Sequence, residues 1–224
     1  MTEHKKSQAL DVNETLNKSE AFVVKHKKTL IASLIIVIVL IAGGLLYNHF
    51  ISAPKNEKAS TMLAKGQTYF ATNDYDKALN GDGAEFMGFV KMTKEFSGTD
   101  AANLANLYAG LSYAQQNKAK EAISYLEKFK PAGDDMISPA AVGALGNCYA
   151  KDGQLDKAVE TLKKAAKLAD NNSLSPTFLM QAGEILESQK KNKEALELYL
   201  QIKNNYYESL PYQDIDKYIE RVSK

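Results

Sequence analysis

The chain contains no tryptophan, one cysteine, three histidines and five prolines in 224 residues. Each scarcity removes a class of explanation. A lone cysteine, Cys148, closes no intrachain disulfide and builds no Cys-rich zinc site, so any fold rests on a packed core alone. The histidines, His4, His26 and His49, all lie within the first 51 residues. The remainder therefore has no imidazole for acid–base work or metal ligation. No glycine-rich phosphate loop, nucleophile elbow or metalloprotease helix motif occurs. An excess of one charge is missing too. Residues 1–51 hold six lysines against four acidic residues, and the rest holds 22 Lys and Arg against 23 acidic residues. A nucleic-acid binder needs a basic face to displace counterions from phosphate, so nucleic acid is not an expected partner. Dispersed Lys and Glu of this kind form the solvated face of a helical domain. The expectation is a protein without catalysis, cofactor or metal.

What is present first is one long apolar run. Residues 29–51 include no Asp, Glu, Lys or Arg. At ~1.5 Å per residue, about 20 apolar residues span ~30 Å, the thickness of a bilayer core. Lys25, Lys27 and Lys28 precede the run, whereas Lys55 and Lys58 follow it diluted by Glu57. The positive-inside rule then predicts a cytoplasmic leader (1–28), a transmembrane helix (29–51) and residues 52–224 outside the cytoplasm. Tyr47 and His49 fall where rings favour the headgroup region. A cleaved signal peptide would have a shorter leader and a shorter apolar run, and Ile51-Ser52-Ala53 makes a poor cleavage site. A lipoprotein would need a cysteine directly after the run, and none stands there. Residues 10–28, with Val12, Leu16 and Val23 on one side, form either a membrane-surface helix or a continuation of the membrane helix.

The strongest signal is internal repetition. Four segments share a Gly followed twelve residues later by an Ala: Gly66 and Ala78, Gly110 and Ala122, Gly146 and Ala158, Gly183 and Ala195. Three residues past each Gly stand Tyr69, Tyr113, Tyr149 and Leu186. Between Gly and Ala lie Asn73-Asp74, Gln116-Asn117, Lys151-Asp152-Gly153 and Lys191-Asn192, all turn chemistry. The pattern fits a helical hairpin in which Gly and Ala let the two helices cross closely and Tyr fills the space beside them. One hairpin cannot bury its apolar face alone, so neighbours must stack into a solenoid. Repeats are expected over 59–97, 101–131, 138–169 and 175–208. The first is interrupted by Asn80-Gly81-Asp82-Gly83, which should break its second helix, with Phe86–Ser97 resuming it and Phe86, Phe89, Val90 and Phe96 free for the core. The same stretch lacks the alternating oxygen ligands and distal Glu of a calcium loop, so a turn is preferred. Residues 209–224 read as a cap, with Ile215, Tyr218, Ile219 and Val222 at helical spacing and a polar opposite face. Cys148 is expected to be a small buried residue.

These residues resemble the tetratricopeptide repeat family: small residue, aromatic and Ala at the family's characteristic positions across residues 59–208. The Ala-to-Ala spacings of 44, 36 and 37 compare with about 34 in the family. The family's Trp is replaced by Met62, Asn106, Val142 and Leu179. The resemblance implies an all-α chain, one transmembrane helix followed by an α-solenoid of about four hairpins and a capping helix. It also implies that a protein ligand lies along the first helices. Carried onto this sequence, those inward positions are Leu63, Gln67 and Phe70, then Leu104, Leu107, Leu111 and Ala114, then Gly143, Asn147 and Lys151, then Met180, Glu184 and Glu187. The first half is apolar and the second polar. Asn147 and Lys151 alone do not reproduce the Lys/Asn set that clamps a chain-end carboxylate in some relatives. The apolar half is either an open groove for a peptide or covered by the chain itself. Glu184 and Glu187 also fit a plain exposed charged face.

The order of leader, anchor and repeats, with the run Ala78-LNGDG-Ala84 and the GFVKMTKEFSGTDAANLANLYAGLSY that follows, is similar to the ancillary Sec-translocon subunit family of the Bacteroidetes-type envelope. That resemblance implies an inner-membrane scaffold, N-terminus in the cytoplasm and repeats in the periplasm, with Sec translocon subunits and periplasmic chaperones as partners. The alternatives are a cell-envelope or outer-membrane assembly adaptor, or a regulatory subunit of a separate enzyme.

Overall fold

The computed structural model describes residues 12–224, with side chains from Glu20 onward apart from Tyr47. The first part of the leader with His4, and the side-chain positions expected for Val12, Leu16 and Tyr47, lie outside the described residues. Two compact units meet between Pro54 and Lys55. In the first, α1 (Val12–Tyr47) is followed by a π-helical turn, Asn48–Ser52. Residues 12–28 and the apolar run thus share one helix. Among the described residues one helix is long and apolar enough to cross a membrane by length and composition, and none of its apolar window is buried.

The second unit is built from hairpins. α2 (Ala53–Ala71) pairs with the two short helices α3 (Tyr75–Asn80) and α4 (Phe89–Glu95). The next pairs are α5 (Asp100–Gln115) with α6 (Ala119–Leu126), α7 (Ile137–Lys151) with α8 (Leu155–Ala169), and α9 (Ser175–Ser188) with α10 (Asn192–Asn205). A four-residue helix α11 (Leu210–Gln213) leads into α12 (Ile215–Val222). No strand occurs among the described residues.

The repeated glycines explain why the helices pair. A Cβ on Gly110 would sit 2.5 Å from Leu126 Cγ, and one on Gly146 would sit 2.8 Å from Leu162 Cγ. A Cβ on Gly183 would overlap the Tyr199 ring. Each glycine therefore receives a large side chain from the second helix of its own hairpin. Ala78, Ala122, Ala158 and Ala195 are all fully buried, as expected of small residues at a helix crossing.

The turns repeat as closely as the helices do. Seven residues after each glycine the backbone turns left-handed, at Asn73, Asn117, Gly153 and Lys190. The next N–H then donates across the turn: Asp74 to Tyr69 O, Lys118 to Tyr113 O, Gln154 to Tyr149 O and Lys191 to Leu186 O, each at 2.9 Å. This is a Schellman-type closure, and Asn or Gly suits it because neither resists positive φ strongly. Lys190, with φ of 61°, is the misfit, so the fourth turn centres there and not on Lys191-Asn192. Lys190→Gly is expected to stabilise the fold by about 0.5–1 kcal/mol. Urea denaturation should show a higher midpoint with unchanged slope.

The first hairpin departs from the others. Sixteen residues past its glycine stands Asp82 instead of Leu or Tyr, and the second helix stops at Asn80. Phe86 and Phe89 fill the space beside Gly66 in its place, edge-to-face with ring centres 5.5 Å apart. The helix resumes at Phe89, three residues later than the expected Phe86, because Gly88 takes φ of 85° and ψ of 147°. That conformation is incompatible with helix. Phe86, Phe89 and Phe96 are buried and Val90 packs against them.

At the other end α12 turns Ile215 and Val222 inward and leaves Asp216, Lys217, Glu220 and Arg221 exposed. Arg221 grips Glu187 of α9 through two bonds of 2.7 Å, Nε to Oε2 and Nη2 to Oε1. The Tyr199 hydroxyl donates to the same carboxylate at 2.5 Å. Between the ends, side-chain ties cross from one hairpin to the next. Gln116 Nε2 donates to Asp76 at 2.8 Å, and Gln189 and Lys191 both donate to Asp156 at 3.0 and 2.7 Å.

Candidate protein-binding surface

The first helices α2, α5, α7 and α9 carry every inward position, and the structure sorts them into two groups. Leu63 and Leu107 are buried in the core. They do not line an open groove. Leu63 joins the cluster of the first hairpin, and Leu107 packs with Ala122, Ile123 and Leu126 of the second. Phe70 meets Tyr75 and Tyr108 edge-on at 5.7 and 5.3 Å. Gln67 Nε2 donates to the Tyr108 hydroxyl at 3.0 Å, which ties α2 to α5. Leu104, Leu111 and Ala114 are partly buried against the core of the second and third hairpins. The space that Gly143 leaves is taken by the Phe178 ring of the next repeat. The apolar half of the surface is thus spent largely on stacking neighbouring hairpins, because each first helix must contact its own partner and the adjacent repeat at once.

The polar half stays accessible. Lys151 and Glu184 are exposed, while Asn147 and Met180 are half-buried. Lys151 Nζ reaches Asn117 Oδ1 at 3.5 Å, so its ammonium remains near the surface of α5 and α7. Glu187 does not belong with Glu184, since Arg221 and Tyr199 consume its carboxylate. Burial would raise that carboxyl, but the Arg221 and Tyr199 hydrogen bonds outweigh it and leave it below the usual glutamate range. Burial, with the Glu187 hydrogen bond, pushes the Tyr199 phenol well up.

One contribution was not foreseen. Gln181 Oε1 on α9 is a buried acceptor with no hydrogen-bond partner in the structure. No spacing rule distinguishes such a glutamine from an ordinary surface one.

Among the described residues no three His, Cys, Asp or Glu side chains converge as a metal site would require. Cys148 is buried, and burial pushes its thiol up, away from the thiolate needed for reactivity. The Tyr149 phenol is pushed up to about 12 by burial and by its hydrogen bond to Glu127. Two open clefts lie off the first-helix surface. One of about 370 Å³ near the start of α5 is lined by Asn103, Asn106, Lys128 and Lys130. The other, about 630 Å³, is bordered by Lys163, Lys164, Lys167, Leu179 and Tyr206.

Comparison with known proteins agrees with this geometry. The family described as tetratricopeptide repeat-like domain matches residues 20–213, which takes in the apolar helix as well as the repeats. Among solved structures, a crystal structure of nearly identical TPR-like repeats, described as kinesin light chain from Podospora anserina, is similar. It has a TM-score of 0.51 and 14% identity, over 73% of this chain and 84% of that one. At that identity the likeness concerns the fold alone. No curated protein matches the chain. Repeats of this kind generally mediate protein–protein contact. A match across most of the sequence, with hairpins, turns and crossings to go with it, means that this chain belongs to the tetratricopeptide repeat-like domain family.

Proposed function

We propose that the chain is a non-catalytic, membrane-anchored scaffold that presents its repeats in the periplasm and joins protein export at the Sec translocon to periplasmic chaperones. The observation that carries this reading is the family match, which runs from residue 20 through the apolar helix into the repeats. Helix and solenoid therefore recur together. The described large apolar side chains of α1, from Phe22 to Leu46, are exposed, a surface that hydrocarbon satisfies and water does not. Lys25, Lys27 and Lys28 at its leading end favour a cytoplasmic N-terminus. The translocon and chaperone partners come from the resemblance of residues 78–113 and from the order of the segments, a fold-level analogy.

The test is a mild-detergent pull-down of the full chain from its native membrane, read by quantitative mass spectrometry. Enrichment of translocon subunits and periplasmic chaperones is expected. Dominance of outer-membrane assembly proteins, with translocon subunits at background, would replace this reading with the assembly adaptor. An enzyme activity that appears only with a co-purified chain would favour the regulatory subunit.

The accessible part of the binding surface makes a narrower prediction. Reversing both exposed charges, Lys151→Glu with Glu184→Lys, should reduce partner recovery severalfold. Unfolding should stay within about 0.5 kcal/mol of wild type, because neither side chain is buried. Unchanged recovery would place the contact elsewhere.

A further inference from the structure

The hairpins are joined by loops that stand in one row along one edge of the repeat unit. Lys55 Nζ, at the start of α2, donates to Ser97 O in the loop before α5 at 2.9 Å. The Asn103 side chain exchanges two bonds of 2.8 Å with the Lys130 backbone in the loop before α7. Asn171, in the loop before α9, donates to Asp135 O at 3.1 Å, and its neighbour Asn172 donates to Glu208 Oε2 at 3.5 Å. Four hydrogen-bonded steps therefore link every such loop. The opposite edge holds the repeated turns at Asn73, Asn117, Gly153 and Lys190.

The two edges differ in what they expose. Outside α1 and the turn after it, seven large hydrophobic side chains of the described residues are exposed, and five of them lie along this edge: Met136, Ile137, Tyr207, Leu210 and Tyr212. Leu210 is 80% exposed and Tyr207 67%. Local structure holds the first pair outward. Asp134 Oδ1 accepts from the N–H groups of Met136 and Ile137, at 3.0 and 2.5 Å, so the backbone is fixed with both side chains projecting from it. Lysine is not in excess on this edge: Lys55, Lys128 and Lys130 stand beside Asp100, Asp134, Asp135, Asp170 and Glu208. An aqueous protein rarely leaves several large apolar groups along one edge without use.

We propose that this edge rests on a lipid surface, with Met136, Ile137 and Leu210 entering the headgroup–acyl boundary and Tyr207 and Tyr212 lying in the headgroup layer. The proposal depends on the membrane-anchor reading of residues 29–51. The covalent chain supports lipid over a protein partner. Four residue steps separate Ile51 from Lys55, which at ~3.6 Å each allow at most ~14 Å, and Lys55 belongs to this edge. Met, Leu and Tyr are the residues that interfacial contact uses. Because lysine is not in excess there, docking should not depend on anionic lipid.

The experiment uses the full chain in lipid nanodiscs, with Cys148→Ala as background. Environment-sensitive fluorophores are placed singly at Ile137→Cys and Leu210→Cys. Lys120→Cys on the opposite edge and Leu40→Cys in the apolar run serve as controls. Nitroxide-bearing lipids, shallow and deep, act as quenchers. Positions 137 and 210 should lose emission to shallow nitroxide and shift to the blue, equally in zwitterionic and anionic discs, while position 120 stays unchanged and position 40 responds to deep nitroxide. If position 40 is quenched but 137 and 210 are not, the lipid edge is wrong and the anchor stands. If position 40 is not quenched, the anchor reading fails and the edge proposal with it. Should 137 and 210 respond only when a partner protein is added, the edge is a protein interface and the lipid assignment is overturned.

Discussion

Replacing Gly88 with alanine is expected to cost about 4 kcal/mol and to lower the melting temperature by roughly 10 °C. Gly83→Ala, five residues away, should cost only about 1 kcal/mol. Both glycines have positive φ, 85° and 79°, and they differ in what surrounds them. A Cβ at Gly83 meets nothing within 4 Å. A Cβ at Gly88 would overlap the Leu79 carbonyl oxygen and sit 2.5 Å from the Asn80 carbonyl carbon and 2.6 Å from Gly81 N. Those are backbone atoms at the end of α3, and they cannot rotate aside. Asp82 holds the same loop closed: its Oδ1 accepts from the N–H groups of Ala84, Glu85 and Phe86, each at 2.9 Å. Its Oδ2 accepts from the Tyr69 hydroxyl, also at 2.9 Å. Forcing Gly88 away would pull on α4 and withdraw Phe86 and Phe89 from Gly66, which opens the core of the first hairpin. Urea denaturation of the two variants side by side measures the difference. Equal losses would mean that left-handed strain alone sets the cost and that the close backbone approach contributes nothing.

This loop also shows where reading the sequence reaches its limit. The Gly–Ala offset was legible because it is local physics repeated four times: a helix crossing needs a small residue on each side, and the chain says so in every repeat. The break after Asn80 was legible for a similar reason, since two glycines in three residues end a helix. The restart at Phe89 was not, because it depends on Gly88 meeting the backbone of Leu79, Asn80 and Gly81. Lys190 escaped notice because nothing in a lysine announces positive φ. Only its register, seven residues after Gly183 like Asn73 after Gly66, gives it away.

On the candidate surface the exposure of Lys151 and Glu184 was legible in the sequence, and the burial of Leu63 and Leu107 was not. Helical periodicity marks Leu63 and Leu107 as apolar and inward, but it does not say whether inward means a groove or the next hairpin. Stacking decides that, and stacking is long-range. Glu184 and Glu187 illustrate the same blindness. Three residues apart on one helix, they read as one charged face, yet Glu184 is exposed and Glu187 pairs with Arg221 across 34 positions of sequence.

That pairing supports the second large effect. Glu187→Leu should destabilise the fold by about 2–3 kcal/mol, whereas Glu187→Gln should cost about 1 kcal/mol. The Tyr199 side chain is fully buried, and its hydroxyl donates to Glu187. Leucine fills the space without offering an acceptor, so that hydroxyl is stranded; glutamine keeps an acceptor and loses only the charge. Arg221 is half-exposed and recovers solvation when released, which keeps its own share small. If the stranded hydroxyl is the main cost, adding Tyr199→Phe to Glu187→Leu should restore stability in part, and a double-mutant cycle would show coupling of ~1 kcal/mol or more. Simple additivity would contradict the account. The acid limb supplies an independent check. Because the folded carboxyl lies below its ordinary value, its contribution is full above that value and fades as pH falls through the depressed one. Wild type and Glu187→Gln should therefore differ at pH 7 and begin to converge only as pH falls below the ordinary glutamate value of about 4.3. Amide exchange in α12 should rise in Glu187→Leu before it rises in α9, since the bond to Arg221 is one of the ties, beside the packing of Ile215 and Val222 and the Lys203–Asp216 pair, that hold the cap to the last repeat.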